Sequence, residues 1–293
     1  MSYLKVFLTT TILFSIAITN SSPNNESQSH LRVMTFNIRY DNPGDGENAW
    51  SNRKDMVVNM IRNYNAEVVG IQEALKSQLD YLAKKLPEYA WFGAGRNDGK
   101  EQGEFTAIFH LKSRLKSLED STFWCSETPE IPSRGWDAAL NRTVTWGKFL
   151  DKTSRKIFYL FNTHFDHQGT EARLQSARLL LKNFHRISQK KPVVVTGDFN
   201  VTPESKVYQL LTKEPSGENQ IGLKDARYVS ENGHKGPDGT FTGFDLSKTP
   251  YGPIDYIFVT ENTRVLHYET LADTFDSRYP SDHFPVLVDV VFP

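Results

Sequence analysis

Pro192-Val193-Val194-Val195-Thr196-Gly197-Asp198-Phe199-Asn200 is the stretch on which the fold turns. A proline followed by β-branched residues reads as a strand ending at Thr196. The polar residues Asp198 and Asn200 follow at its end. A second stretch reverses the order: Ser281-Asp282-His283 comes first, then the apolar run Phe284 to Val291. A carboxylate left unpaired beside a buried strand is costly, so each needs a compensating cation or a proton to exchange. Both stretches predict strands whose ends carry chemistry.

Comparable runs rich in β-branched and aromatic residues fall at Leu31–Ile38, Glu67–Ile71, Phe105–Leu111, Thr143–Leu150, Lys156–Phe165 and Ile254–Thr260. Apolar residues at three- and four-residue spacing mark helices. They are Met56, Met60, Ile61 and Tyr64; then Leu75, Leu79, Leu82 and Leu86; then Leu174, Ala177, Leu181 and Phe184 within Thr170–Phe184. A short fourth helix is expected over Glu204–Leu211. Several strands follow one another with no helix between them. That pattern predicts a layered α/β domain with mixed sheets rather than a purely parallel one.

The 293 residues allow one large domain, and 38% hydrophobic with 12% aromatic content supports a sizeable core. The net charge of −1 argues against a broad basic surface that grips long nucleic acid. A strand end or a small phosphoester stays compatible with it. Lys5 followed by the apolar Val6 to Ile18 reads as a secretory signal over residues 1–22. A polar leader over 23–30 and one domain over 31–293 complete the organisation. A secreted or periplasmic location is expected, with an uncleaved membrane anchor as the alternative. Cys125 is the one cysteine, which excludes an internal disulfide and a Cys-based zinc site.

The polar residues recur at strand ends. Asn37 lies in the first strand, Glu73 follows the second, His164 ends the strand holding Phe158 to Phe161, and Asp255 opens Ile254–Thr260. Four strands carry such groups toward their C-terminal ends and two toward their N-terminal starts. If those two run antiparallel to the others, all the groups meet at one sheet edge. Oxygen donors such as Glu73, Asp282, Asn37 and Asn200 suit a hard cation like Mg²⁺, which can polarise a phosphoryl oxygen. Asp198 and His283 are candidates to orient and deprotonate water, and Asp255 can hold an imidazole in one tautomer. A period of two would put Asp198 and Asn200 on one face. Taken singly, each has a plainer reading: a turn residue, a backbone-satisfying amide, a core histidine, or, for Asp166 and His167, a surface pair.

Together the stretches Met34-Thr35-Phe36-Asn37, Gly70-Ile71-Gln72-Glu73, Asn162-Thr163-His164, Thr196 to Asn200, Ile254-Asp255-Tyr256-Ile257 and Ser281-Asp282-His283-Phe284-Pro285 resemble the endonuclease/exonuclease/phosphatase superfamily, of deoxyribonuclease I-like fold. The resemblance implies a four-layer α/β/β/α sandwich of two mixed β-sheets and divalent-metal phosphoester hydrolysis. It implies Glu73 as principal metal ligand, helped by Asn37 and Asp282, with Mg²⁺ or Mn²⁺ as the ion. His164 then looks like a phosphate contact, Asp198 with Asn200 like the water-handling group, and Asp255 with His283 like an Asp-His pair. Further stretches, among them Trp50-Ser51-Asn52-Arg53 and Gly135-Trp136-Asp137 through Arg142, look like an exported branch similar to the nocturnin/Angel side.

Arg96, Arg142 and Arg173 are candidates for further phosphate binding, because guanidinium matches phosphate with two parallel donors. Trp124 and Trp136 either stack on a base or pack their loops. The leading expectation is a nuclease or phosphodiesterase acting on single-stranded ends or nucleotides. A phosphatase or phospholipase-type hydrolase taking inositol phosphates, nucleotide monoesters or sphingomyelin is the alternative, and a non-catalytic module is the remote one. The expected partner is the phosphoester alone, with a monomeric protein.

Overall fold

The computed structural model describes residues 1–4, 30–213 and 222–293. Apart from residues 1–4 and His30, the expected signal segment and leader lie outside the described residues. In chain order the elements are β1 (Leu31–Asn37), α1 (Trp50–Asn63), β2 (Val68–Ala74), α2 (Lys76–Lys85), β3 (Tyr89–Phe92), β4 (Phe105–Leu111), β5 (Leu115–Trp124), β6 (Thr143–Asp151), β7 (Ile157–His164), α3 (Thr170–Ser188), β8 (Val193–Asp198), α4 (Lys206–Thr212), β9 (Leu223–Asp225), α5 (Ala226–Val229), β10 (His234–Lys235), β11 (Asp255–Thr260), β12 (Arg264–Thr270) and β13 (Val286–Val291).

The strands form two mixed sheets, ordered β10-β12-β13-β1-β2-β4-β3 and β5-β6-β7-β8-β11-β9. Each sheet centres on a parallel pair, β1/β2 in the first and β7/β8 in the second. Antiparallel strands flank each pair: β13 and β4 around the first, β6 and β11 around the second. Three apolar cores separate four layers. Val57 and Ile61 of α1 with Leu79 and Leu82 of α2 pack on Phe36, Ile71 and Phe109 of the first sheet. Val33, Val68 and Ile108 meet Phe149, Leu160, Val194 and Ile257 between the sheets. Ala177, Leu180 and Phe184 of α3 with Leu211 of α4 cover Phe161, Val195 and Phe258. This is the α/β/β/α sandwich that the resemblance implies, and it carries the mixed sheets that the strand pattern predicts.

The strands missed by the sequence reading are β3, β5, β9, β10 and β12, each of which lies at a sheet edge or next to one. In β5, Leu-Lys-Ser-Leu-Glu-Asp-Ser-Thr-Phe-Trp, the middle is exposed and polar, so no apolar period marks it. The final strand begins later than expected, at Val286. His283 bridges Phe241 instead, and Phe284 N–H donates to the Thr240 carbonyl at 2.7 Å.

The inward faces of the central strands change character along their length. Every second residue points between the sheets. In β1 the series ends Val33, Thr35, Asn37; in β2 Val68, Gly70, Gln72; in β7 Leu160, Asn162, His164; in β8 Val194, Thr196, Asp198. One end of the sandwich is thus sealed by hydrocarbon and the other by hydrogen bonds. Gln72 Nε2 donates to Asn162 Oδ1 at 2.6 Å and to Thr35 Oγ1 at 3.0 Å. Asn162 Nδ2 donates to the carbonyls of Ile71 and Ala107, both at 2.9 Å, and Thr196 Oγ1 donates to Asn162 Oδ1 at 3.1 Å. Gly70 lets the sheets approach this closely, because a Cβ there would lie 2.2 Å from Thr196 Oγ1.

Two stability predictions follow from these buried polar groups. Asn162→Ala strands four partners across the sheet interface and should cost about 3 kcal/mol or more in denaturant unfolding. A loss below about 1 kcal/mol would show that the clasp does not join the sheets energetically. Asp225 is buried, accepting from Tyr208 Oη and Arg227 N–H at 2.9 Å each, and burial raises its pKa from 3.8 to about 6. The folded state therefore holds a proton that the unfolded state has released between about pH 4 and 6. Stability contributed here is full below that window and falls as pH rises through it. Asp225→Asn should match the parent near pH 4 and exceed it by about 2 kcal/mol near pH 8. An equal difference at both pH values would refute this.

Candidate active site

The paired register brings the expected residues to one end of the sandwich, but they come from two sheets rather than one. Asn37 and Glu73 lie at the ends of β1 and β2, and His164 and Asp198 face each other at the ends of β7 and β8. Asp255, at the start of antiparallel β11, sits opposite Asp198. Asp282 and His283 lead toward β13, which is antiparallel to β1. Glu73 is aimed by a backbone irregularity: the β2–β4 register shifts between Ile71 and Ala74, and Glu73 has φ 65°. Such a bulge costs strain and is kept where a side chain must be re-directed.

Asn37 joins the two sheets at the site itself. Its Nδ2 donates at 3.0 Å to both Glu73 Oε1 and Asp198 Oδ2, and lies 3.5 Å from His283 Nε2. Its Oδ1 accepts from Arg39 N–H at 3.0 Å. His283 Nδ1 meets Asp255 Oδ2 at 2.9 Å, and its Nε2 lies 3.8 Å from Asp198 Oδ2. Phe241 packs edge-on against the His283 ring, with centroids 5.0 Å apart. His164 Nε2 is 3.5 Å from Asp198 Oδ2.

Burial and charge set distinct protonation tendencies here. Burial alone would lower His283, but Asp255, then Asp198 and Asp282, raise it well above the usual histidine range. His164 goes the other way: burial, then Arg142 and Arg96, hold it well below that range. Burial and the neighbouring Asp255 push Asp198 up to about 7, against the pull of His283. A carboxylate poised near neutral pH beside an imidazolium is suited to proton transfer.

Asp198 and Asn200 do not share a strand face. The chain turns after β8, Asn200 adopts φ 51°, and its N–H donates to Asp198 Oδ1 at 3.0 Å. Its side-chain amide donates to the Phe165 carbonyl at 3.0 Å, yet Asn200 still lines the site.

The site opens into a cavity of about 680 Å³, walled by Arg39, Arg96, Glu104, Arg142, His167 and Tyr251 besides the groups above. Arg142, almost fully buried, contacts Asp166 Oδ2 at 3.3 Å and His167 Nδ1 at 3.0 Å. Asp166 and His167 are therefore not a surface pair. Burial would raise Asp166, but the N–H groups of Gly169, Gln168 and Ala139, with Arg142, hold it at about 2. Arg96 Nη1 donates to Glu104 Oε2 at 2.7 Å. Burial, opposed by Arg96, takes Glu104 up to about 7.

Three expected substrate contacts lie elsewhere. Trp124 is buried away from the cavity and donates its Nε1–H to the Arg96 carbonyl at 2.7 Å, so it braces Arg96. Trp136 does not line the cavity; it occupies the loop before β6 with φ 49°. Arg173 donates to the Asp166 carbonyl at 2.8 Å from α3, again outside the cavity wall. Conversely, the sequence reading missed Arg39 and Glu104. Arg39 lies two residues beyond Asn37, and Glu104 immediately precedes β4, as polar residues do at the other strand ends.

Glu73 Oε2 and Asp282 Oδ2 have Arg39 as a cationic neighbour at 4.0 and 3.9 Å. Arg39 itself is committed to Asp45 through two hydrogen bonds of 3.0 Å. Burial raises the Asp282 pKa, so this carboxylate lacks full compensation. Among the described residues, Glu73, His164 and Asp198 bring ligand atoms within 4.8 Å of one another, as do Asp198, Asp255 and His283; Asp282 belongs to neither group. Hard oxygen donors with charge to spare fit a divalent cation.

These features define an α/β/β/α sandwich whose carboxylates, imidazoles and guanidinium groups converge at the ends of facing sheets. The chain belongs to the endonuclease/exonuclease/phosphatase family, whose model matches residues 34–283. A family member from Bacteroides vulgatus is 41% identical, with TM-score 0.85 over 90% of this chain and all of that one. A mannosyl-6-phosphatase from Bacteroides thetaiotaomicron is 35% identical, with TM-score 0.84 over 89% of this chain and all of that one. Mouse nocturnin is 24% identical over 88% of this chain and 64% of its own length. The chain spans about three-fifths of the length of the curated relatives it matches.

Asp198→Asn and His283→Ala should each lower turnover by about 10² or more, the scale of a lost acid or base. Steady-state rates near those of the parent, in a variant with an unchanged melting curve, would remove the residue from the mechanism.

Proposed function

We propose that the protein is an exported, Mg²⁺- or Mn²⁺-dependent phosphomonoesterase acting on a small polar phosphate ester of the sugar-phosphate kind. The observation that carries this reading is the cavity wall: Arg39 and Arg142 line it together with Asp198 and His283, and neither loop tryptophan reaches it. A terminal phosphate approaches two negative charges at neutral pH and favours several guanidinium groups. Full-length similarity to a mannosyl-6-phosphatase supports the same class. Lys5 and the apolar Val6 to Ile18 support export.

Glu73 and Asp282, with Asn37, would hold the ion, which when bound polarises a phosphoryl oxygen and neutralises charge. The chain's own groups perform the proton and binding steps. Asp198 takes the proton of the attacking water. His283, kept cationic by Asp255, holds an N–H at Nε2 beside the developing negative charge. His164, kept neutral, hydrogen-bonds a phosphate oxygen, while Arg142 is fixed by Asp166 to receive the phosphate. A nuclease is the second reading, favoured by Tyr251, which lies 62% exposed at the cavity mouth and offers a face for a base.

Phosphate release from a panel of hexose phosphates, nucleotide monophosphates, inositol phosphates and short oligonucleotides separates the readings. Hexose phosphates should be preferred, and EDTA should reduce the rate by about 10² or more, with Mg²⁺ or Mn²⁺ restoring it. Cleavage of oligonucleotides without release of phosphate from any monoester would transfer the assignment to the nuclease reading.

A further inference from the structure

Arg96 and Glu104 form a polar pair in the cavity wall whose bonding is incomplete. Glu104 uses Oε2 to accept from Arg96 Nη1 at 2.7 Å, and among the described residues its Oε1 has no hydrogen-bond partner. Arg96 is 8% exposed and Arg142 4%, yet among the described residues Arg96 Nε and Arg142 Nη1 are buried donors with no partner. Arg96 is itself locked: Trp124 Nε1 and Asn141 Nδ2 donate to its carbonyl at 2.7 and 3.1 Å, and its N–H donates to the Glu104 carbonyl at 3.1 Å. A recess of about 10 Å³ shares Arg96, Glu104, Arg142 and His164 with the wall of the main cavity. Buried donors without partners are costly and are kept where a ligand completes them.

A guanidinium offers only donors and a carboxylate only acceptors. Side by side they match a hydroxyl, which donates to one and accepts from the other, and they match two neighbouring hydroxyls better still. A phosphate would be repelled by Glu104. We propose that Arg96 and Glu104 are a hydroxyl-binding subsite that reads the leaving group, with Glu104 as the residue setting specificity for polyhydroxylated esters over simple ones. The inference rests on the phosphomonoesterase reading above and adds the feature of the substrate that is recognised. Tyr251 and Leu140, exposed at the same mouth, give the apolar face of a sugar ring a surface to rest on.

The test is a selectivity ratio: kcat/KM for mannose 6-phosphate divided by kcat/KM for phenyl phosphate, which carries the same phosphate and no hydroxyl. Glu104→Gln keeps an acceptor for Arg96 and turns the free acceptor into a donor. It should lower the ratio about tenfold or more, chiefly through KM for the sugar phosphate, as expected for a lost hydrogen bond to a charged group. Should that variant melt early, Glu104→Asp keeps the charge, draws it back from the ligand, and should lower the ratio at least about threefold. A ratio within about twofold of the parent, or equal losses on both substrates, overturns the subsite. A parent enzyme that cleaves phenyl phosphate but no sugar phosphate also overturns it, while leaving the phosphomonoesterase reading intact. A parent inactive on both esters overturns that reading, and the subsite with it.

Discussion

The hydrogen bonds that run through Asn162 from one sheet to the other are the constraint on which the site depends. Facing sheets normally meet through hydrocarbon, which is tolerant of small shifts. Here Gln72, Thr35, Asn162 and Thr196 replace hydrocarbon at one end with bonds as short as 2.6 Å. Those bonds are directional, so they fix the register of the second sheet over the first. One residue further along each strand's inward face come Asn37, His164 and Asp198, and their mutual distances inherit that register. Gly70 is part of the same arrangement, since any side chain there would push the sheets apart.

The catalytic end is destabilised by its own design. Asp198, Asp255, Asp282 and His283 are buried together, and burial opposes the charges of Asp198, Asp282 and His283. Two devices limit the damage. Asn37 shares its amide between carboxylates of both sheets. Arg53, almost fully buried, donates to the carbonyls of Ile38, Asn48 and Pro280, and pins the loops that carry Arg39 and Asp282. Burial lowers Arg53 to about 10, with Asp282 and Asp45 partly restoring it, so its positive charge persists at neutral pH. The pKa values of Asp198 and His283 are displaced by the same neighbours that hold them, which separates an acceptor from a donor of protons at one place.

Much of this was legible in the chain because strand periodicity carries chemistry as well as burial. The central strands announced themselves by β-branched runs, and the polar residues at their ends stood out against that background. The flanking helices followed from their three- and four-residue spacing. What failed was anything determined by a departure from regular backbone. Asp198 and Asn200 looked like residues on one face, but a left-handed residue turns the chain between strand and loop. Trp124 was open to stacking on a base or packing its loop, and it packs, spending its N–H on the Arg96 carbonyl. Glu104 sits before a strand much as Asp255 opens one, but its partner Arg96 lies across a loop, and such pairing has no period to betray it.

The two sheets also divide the labour of the site in a way that suits a family with varied substrates. The groups proposed to bear on the phosphate (Asn37, Glu73, His164, Asp198, Asp255) stand on central strands, where both neighbours and the opposite sheet hold them. The groups proposed to bear on the leaving group (Arg96, Glu104, Tyr251) stand just before strand starts or in the connections between strands. A change among the first set disturbs the sheet interface and the reaction together. A change among the second alters only which molecule fits beside the phosphate. The polarity gradient between the sheets therefore does more than place a site: it anchors the reaction to the rigid half of the fold and leaves recognition to the half that can vary.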